Sequence, residues 1–395
     1  MRGFWLGCAL AGLLAGCGGK GDADGDGDGA SSGADTGSGA PTGTGAETGA
    51  SSETGADPCD GPTRCPADGE WPFERLSEYD FFQQPMVDLT PKDGVVLYEV
   101  GAPLWSDAAG KGRFIVLPEG GKIEFSADDD WAFPDGTILI KTFYFDHDRR
   151  DPQAGYRIIE TRLLVRTDGE WEPYTYLWND EQTEATITKV GKRVDISFID
   201  AEGAEQSEEY IVPNLDQCSS CHERDDVQRS LGLVTLQMNR MVEREGASVA
   251  QLDWLDGLGM FAAAPPAPDS LPGFVDPMGG EGTLDERARG YLHGNCAHCH
   301  RPGGGASKSG LVFLATETEL AKVGVCKVPA AAGPGTGGHA HDIEPGKPDE
   351  SIVIFRMNSL DPEIKMPELP NRVIDTQGVE LVREWIAALP GMCGP

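Results

Sequence analysis

The chain has 395 residues, of which 65 are Asp or Glu and 32 are Lys or Arg, for a formal net charge of −33. That length accommodates two or three domains with real cores, and 39% hydrophobic residues predict a globular majority. So acidic a chain has no basic footprint to meet phosphates, which excludes nucleic acid as a partner and predicts a self-repelling surface.

Met1-Arg2 makes a short basic start, and residues 3–15 (GFWLGCALAGLLA) are apolar but too short to cross a bilayer as a helix. Leu14-Ala15-Gly16-Cys17 then has the form of a bacterial lipobox, a small-residue cleavage site before a cysteine that becomes lipidated. Residues 1–16 therefore read as a lipoprotein signal peptide and Cys17 as the lipidation site. The alternative is an ordinary cleaved signal with an incidental cysteine. Gly18 rather than Asp after the cysteine resembles outer-membrane sorting, so the expected location is the bacterial envelope, lipid-anchored at the outer membrane.

Residues 17–57 form an acidic Gly/Ser/Thr linker that cannot bury a core; residues 18–57 carry eight acids against one lysine. Asp24, Asp26, Asp28, Gly29 and Asp35 match part of a calcium-loop pattern. They lack its terminal Glu and flanking helices, so a solvated spacer is the simpler reading. An N-terminal extension follows over 58–93. In an exported protein its Cys59 and Cys65 predict a short-range disulfide, and Cys326 and Cys393 predict a second.

From 94 to 213 the pattern is β-rich. RFIVLP (113–118), KIEFS (122–126), TILIKTFYF (137–145), YRIIETRLLVRT (156–167), WEPYTYLW (171–178), EATITKV (184–190) and RVDISFI (193–199) are full of β-branched and aromatic residues, most of them bounded by turn formers. Their number and spacing predict an antiparallel β-sandwich-like domain. Trp131, Phe143, Tyr144, Trp171, Tyr176 and Trp178 are expected mainly in its core, with a binding groove as the alternative; His147, alone on a loop, is a weak site residue. Residues 226–260 read as helical.

Two copies of Cys-x-x-Cys-His follow, Cys218-Ser219-Ser220-Cys221-His222 and Cys296-Ala297-His298-Cys299-His300. This is the c-type haem attachment pattern. Two thiols at that spacing add to the haem vinyl groups, and the adjacent histidine reaches the iron. A four-cysteine zinc site or a redox dithiol would leave both histidines unexplained. The sequence therefore calls for two covalently bound haem c groups, with Cys218, Cys221, Cys296 and Cys299 as attachment sites and His222 and His300 as iron ligands. The first lies in a region spanning 214–279, the second in a cytochrome c-like domain spanning 280–395.

Around the second motif, Thr283 and Glu286 have capping-box spacing for a helix that ends at the motif, and Asp375 can cap a final amphipathic helix stopped by Pro390. Met366, in Lys365-Met366-Pro367, is the expected sixth ligand of the second iron, with Met357 as its rival. For the first iron, Met238, Met241, Met260, Met278 and His293 are candidates, and an open position is the alternative. Arg287, Arg289, Arg301 and Arg356 could pair with haem propionates. His298, between the two cysteines, reads as a bystander. The fold class is multidomain α+β, a sandwich-like domain followed by a mostly α-helical cytochrome c-type haem region.

From Val95 onward the chain resembles a family of exported di-haem c-type lipoproteins of Gram-negative bacteria. The stretches that carry the likeness are APLWSD, WAFPDGTILIKTF, IETRLL, YTYLWND, CSSCH, NCAHCHRPGG, IEPGKP and KMPEL. The resemblance implies electron transfer with an unidentified redox protein partner. Two other functions compete with it: a di-haem oxidoreductase such as a peroxidase, and the electron-accepting subunit of an associated dehydrogenase.

Overall fold

The computed structural model describes residues 71–330, 333–368 and 371–394, all within one compact unit. The signal peptide, Cys17, the acidic linker with its Asp24–Asp35 stretch, and Cys59 and Cys65 lie outside the described residues.

Six strands make one antiparallel sheet in chain order: β1 (Val95–Leu97), β2 (Gly110–Val116), β3 (Ile138–Asp146), β4 (Tyr156–Thr167), β5 (Glu170–Trp178) and β6 (Ala185–Thr188). β7 (Lys192–Ile199) and β8 (Glu205–Val212) form a separate hairpin. The expected sandwich is thus replaced by a meander with a hairpin laid on it. Short connections cause this. Asp168 and Gly169 both take positive φ, the two-residue turn that suits the twist of β4 and β5 and pairs each strand with its sequence neighbour. KIEFS forms only isolated bridges, Ile123 to Phe261 and Glu124 to Ala132, while the acidic run of β8 hides its strand character in the sequence.

Both faces of the sheet are covered. Phe114, Ile140 and Leu163, in register across β2, β3 and β4, pack on Leu76, Tyr79 and Phe82 of the N-terminal extension. Ile115, Leu139 and Leu164 pack the other face against Leu233, Met238 and Leu252. Farther along that same face, Phe143 and Phe145 meet Phe198 and Tyr210 of the β7–β8 hairpin. Trp131, Trp171, Tyr176 and Trp178 are all buried as core, and His147 is exposed.

After the sheet come α1 (Leu215–His222), β9 (Glu223–Arg224), β10 (Val227–Gln228), α2 (Thr235–Met238), β11 (Met241–Arg244), β12 (Ala247–Ala250) and α3 (Gln251–Gly257). The expected helix over 226–260 is therefore mostly hairpins and short turns. Glu245 and Gly246, both at positive φ, close the β11–β12 hairpin, and the apolar spacing that imitates a helix places Met238, Leu252, Leu255 and Met260 in the core under the sheet.

The C-terminal region carries α4 (Leu284–Cys296), α5 (Leu320–Val323), α6 (Ile352–Met357) and α7 (Thr376–Ala388) around its own core of Leu292, Phe313, Ile354, Val382, Trp385 and Ile386. Thr283 caps α4 with the expected reciprocal box to Glu286, and the Asp375 carboxylate caps α7 by accepting from the Gly378 amide at 3.0 Å. Tyr291 donates to the same Asp375 at 2.9 Å, and Trp385 donates to Asp285 at 2.7 Å, locking α4 to α7. Cys326 and Cys393 form the expected disulfide.

Candidate functional site

Asn214 and Gln217 form a capping box at the start of α1, each side chain accepting the other's backbone N–H at 2.9 Å. The helix thereby starts where Cys218, Cys221 and His222 fall at i, i+3 and i+4 on one face. All three line a cleft between α1 and the β3–β4 face of the sheet. His222 Nδ1 is 2.8 Å from the Arg229 carbonyl, and the Arg229 amide returns a bond to the His222 carbonyl at 2.6 Å. A carbonyl only accepts, so Nδ1 carries the proton and the Nε2 lone pair is free. Burial drives the His222 imidazolium down to about 4, against the opposing pull of the Arg229 carbonyl, so the ring is neutral at pH 7.

The second motif is built the same way from different parts. α4 ends at Cys296, and the His300 amide donates back to the Cys296 carbonyl at 2.9 Å. His300 Nδ1 lies 3.1 Å from Ser309 Oγ. Ser309 gives its own hydrogen to the Ala306 carbonyl at 2.7 Å, so it accepts from Nδ1, and His300 Nε2 is also left free. Phe313 stands edge-on to the ring at 5.2 Å between centroids. Burial again lowers the imidazolium to about 4, helped by His298 and Arg356.

The two motifs touch. Cys299 Sγ lies 3.4 Å from the Ser220 carbonyl, and the Asp225 amide donates to the Gly303 carbonyl at 3.1 Å. Hydrogen bonds from Cys299 and His298 hold the Cys221 thiol below its ordinary range, despite burial. His298 therefore sits at the first motif as well as in the second, and lines its cleft. Nothing in the sequence signals this, because the contact spans two segments. Among the described residues no three of the four motif cysteines converge within reach of one ion. The one three-ligand cluster, His341, Glu344 and Cys393, has its cysteine in the disulfide. A four-cysteine zinc site finds no support in this arrangement.

Met366 is half-buried on the loop after α6, its amide donating to the Arg356 carbonyl at 3.0 Å. Arg356 weighs on the His300 charge and Glu368 on that of Cys299, so this loop borders the second motif. Met357 is core filler beside α7. Of the five candidates near the first motif, Met238 and Met260 are buried in the core under the sheet, and Met241 and Met278 are exposed. Only His293 lines the cleft. Its Nδ1 accepts from the Ala315 amide at 3.2 Å, the reverse of His222 and His300, so in the neutral ring the proton sits on Nε2. Burial first, then Arg301 and Arg289, lower the His293 imidazolium to about 4.

Of the four arginines singled out in the sequence, three are spent on backbone carbonyls. Arg289 holds Leu314 at 2.8 Å, Arg356 holds Ile364 at 2.8 Å and Arg287 holds Gly279 at 3.3 Å. Arg301 lines the cleft, its Nε buried without a partner. The sheet adds cations that sequence reading passed over. Arg113, Lys141 and Arg162 are direct cross-strand neighbours on β2, β3 and β4, and all three line the same cleft. On β3 the signal was present as Lys141 between Leu139 and Phe143 on an otherwise apolar face, but only the register aligns it with Arg113 and Arg162. No family model, curated protein or solved structure matches the chain.

Proposed function

We propose that this protein is a di-haem c-type cytochrome that carries electrons in the bacterial envelope. Haem would be attached through Cys218 and Cys221 and through Cys296 and Cys299, with His222 and His300 as proximal ligands. The observation that carries the reading is the tautomer shared by the two motif histidines. Each ring donates from Nδ1 to a fixed acceptor, stays neutral through burial, and presents a free Nε2 lone pair, as an iron ligand requires. The thiols, at i and i+3 in each motif, fit the two attachment points.

A bound haem c supplies one-electron exchange between ferric and ferrous iron. The protein's part is to hold both groups near one another, since the motifs meet at Ser220 and Cys299, and to set their potentials. Met366 is the proposed sixth ligand at the second iron, on a loop tied to α6 beside His300. The lipid at Cys17 and the acidic linker would tether this unit to the membrane, within reach of a protein redox partner. Intact-mass measurement of the haem-matured protein tests the reading. The chain should carry two haem additions, and Cys218→Ala/Cys221→Ala should carry one.

One observation favours a second reading, a small-ligand oxidoreductase such as a peroxidase. His293, the candidate that reaches the first cleft, presents Nε2–H rather than a lone pair, and so is arranged to donate a hydrogen bond there instead of closing the iron's sixth position.

A further inference from the structure

The floor of the first cleft is a row of like charges. Arg113 pairs in register with Lys141, and Lys141 with Arg162, so three cations lie side by side on adjacent strands. Neighbouring strands are only about 4.8 Å apart, and like charges directly opposite one another are destabilising. On the same face the flanking row Ile115–Leu139–Leu164 is apolar, and the other flanking row, Lys111–Phe143–Glu160, adds a fourth cation and a single acid. The cations are therefore out of place unless an anion meets them.

The acids that approach this row are largely committed. Glu160, fully buried, accepts from Arg162 Nε at 2.8 Å and from Tyr210 at 2.6 Å. Asp130 pairs with Arg224 at 2.5 Å, and Glu99 with Arg244 at 2.9 Å and Arg240 at 3.7 Å. Tyr98 and Tyr144 approach Arg113 as neutral phenols. Among the described residues no carboxylate forms an ion pair with Arg113 or Lys141, which leaves two basic groups of the row without a counter-ion. Burial and the neighbouring Arg113, Lys111 and Arg162 charges push Lys141 well below an ordinary lysine, the response of an ammonium held without its counter-ion. Arg301 adds a buried, unpartnered Nε on the same cleft.

We propose that the Arg113–Lys141–Arg162 row is a carboxylate-binding site by which the sheet receives the propionates of the haem attached at Cys218 and Cys221, raising that haem's reduction potential. The inference rests on the haem reading above and assigns the β-rich region a role in it. Two propionates would supply the counter-charges that Arg113 and Lys141 lack, while Glu160 neutralises Arg162. Cys218, Cys221 and His222 line the same cleft, so the motif delivers the carboxylates to the row. Reduction adds one electron and makes or breaks no bond, so the site gains one negative charge, which adjacent half-buried cations favour.

The test is a spectroelectrochemical titration of the full haem-matured chain, with haem counted in the same samples. Lys141→Met keeps the length and removes the charge. It should retain two haems and lower one of the two midpoints by at least the equivalent of a tenfold change in the reduction equilibrium, about 59 mV for one electron. Lys141→Arg should restore the wild-type value. In a Cys218→Ala/Cys221→Ala background, where only the second haem remains, Lys141→Met should leave the midpoint unmoved. Two haems with both midpoints unchanged in Lys141→Met overturn this inference and leave the haem reading standing, as does an equal shift in the single-haem background. A mature chain with no haem at the first motif overturns both.

Discussion

In the proposed haem reading, His222 and His300 depend on Nδ1, the nitrogen turned away from the proposed iron. A carbonyl fixes one ring and a hydroxyl the other, and the hydroxyl is the easier to remove. Ser309→Ala takes the acceptor from His300 Nδ1, so the ring becomes a weaker electron donor and the second haem's midpoint should rise. A hydrogen bond of ~1 kcal/mol corresponds to ~40 mV for one electron. Redox titration checks it, and a fall in midpoint counts against the assigned tautomer. His293 is a different case. Its folded-state value is depressed to about 4, so the unfolded chain binds the extra proton between about 6.5 and 4. The stability it contributes is complete above pH 6.5 and is lost as pH falls through 4. His293→Gln keeps an acceptor for the Ala315 amide but cannot titrate. Across that window its unfolding free energy should fall less steeply than wild type, by ~3 kcal/mol in total, as measured by denaturant melts at stepped pH.

At the scale of elements, α4 delivers the second motif and is held close on two sides. A Cβ at Gly294 would stand 2.4 Å from the Ala102 carbonyl oxygen, so the helix lies directly on the segment leading into the sheet. In an exposed helix Gly→Ala stabilises by about 1 kcal/mol. Here the backbone itself must move, and Gly294→Ala should destabilise by about 1–3 kcal/mol in equilibrium unfolding. The caps at Thr283 and Asp375, the strands β3, β4, β5 and β7, and both motifs were legible in the sequence because each rests on residues a few positions apart. The meander in place of a sandwich and the hairpins over 226–260 were not, since partner choice depends on turns and on a core shared with distant strands. The Arg113–Lys141–Arg162 row was hidden for the same reason. Each of the three sits in a different strand, and pairing register alone makes them neighbours. His298 looked idle within its motif because the thiol beside it belongs to the other one.

Taken whole, the molecule joins a sheet and a helical region around a shared cleft, under a formal charge of −33 that leaves the cations lining that cleft all the more conspicuous. The far end is stapled by Cys326–Cys393, which closes a span of 67 residues containing the Met366 loop, α6 and α7. A loop of that size predicts about 4 kcal/mol from restricting the unfolded chain. Cys326→Ala/Cys393→Ala should lose roughly 2–4 kcal/mol in denaturant unfolding while keeping both haems. The central claim, two covalent haems exchanging electrons in one chain, is tested most directly by a coulometric redox titration of the purified, haem-matured protein, with its optical spectrum followed throughout. The account predicts two reversible one-electron steps per chain, each with the spectrum of haem c. Uptake of fewer than two electrons per chain, or steps that do not reverse, would contradict it.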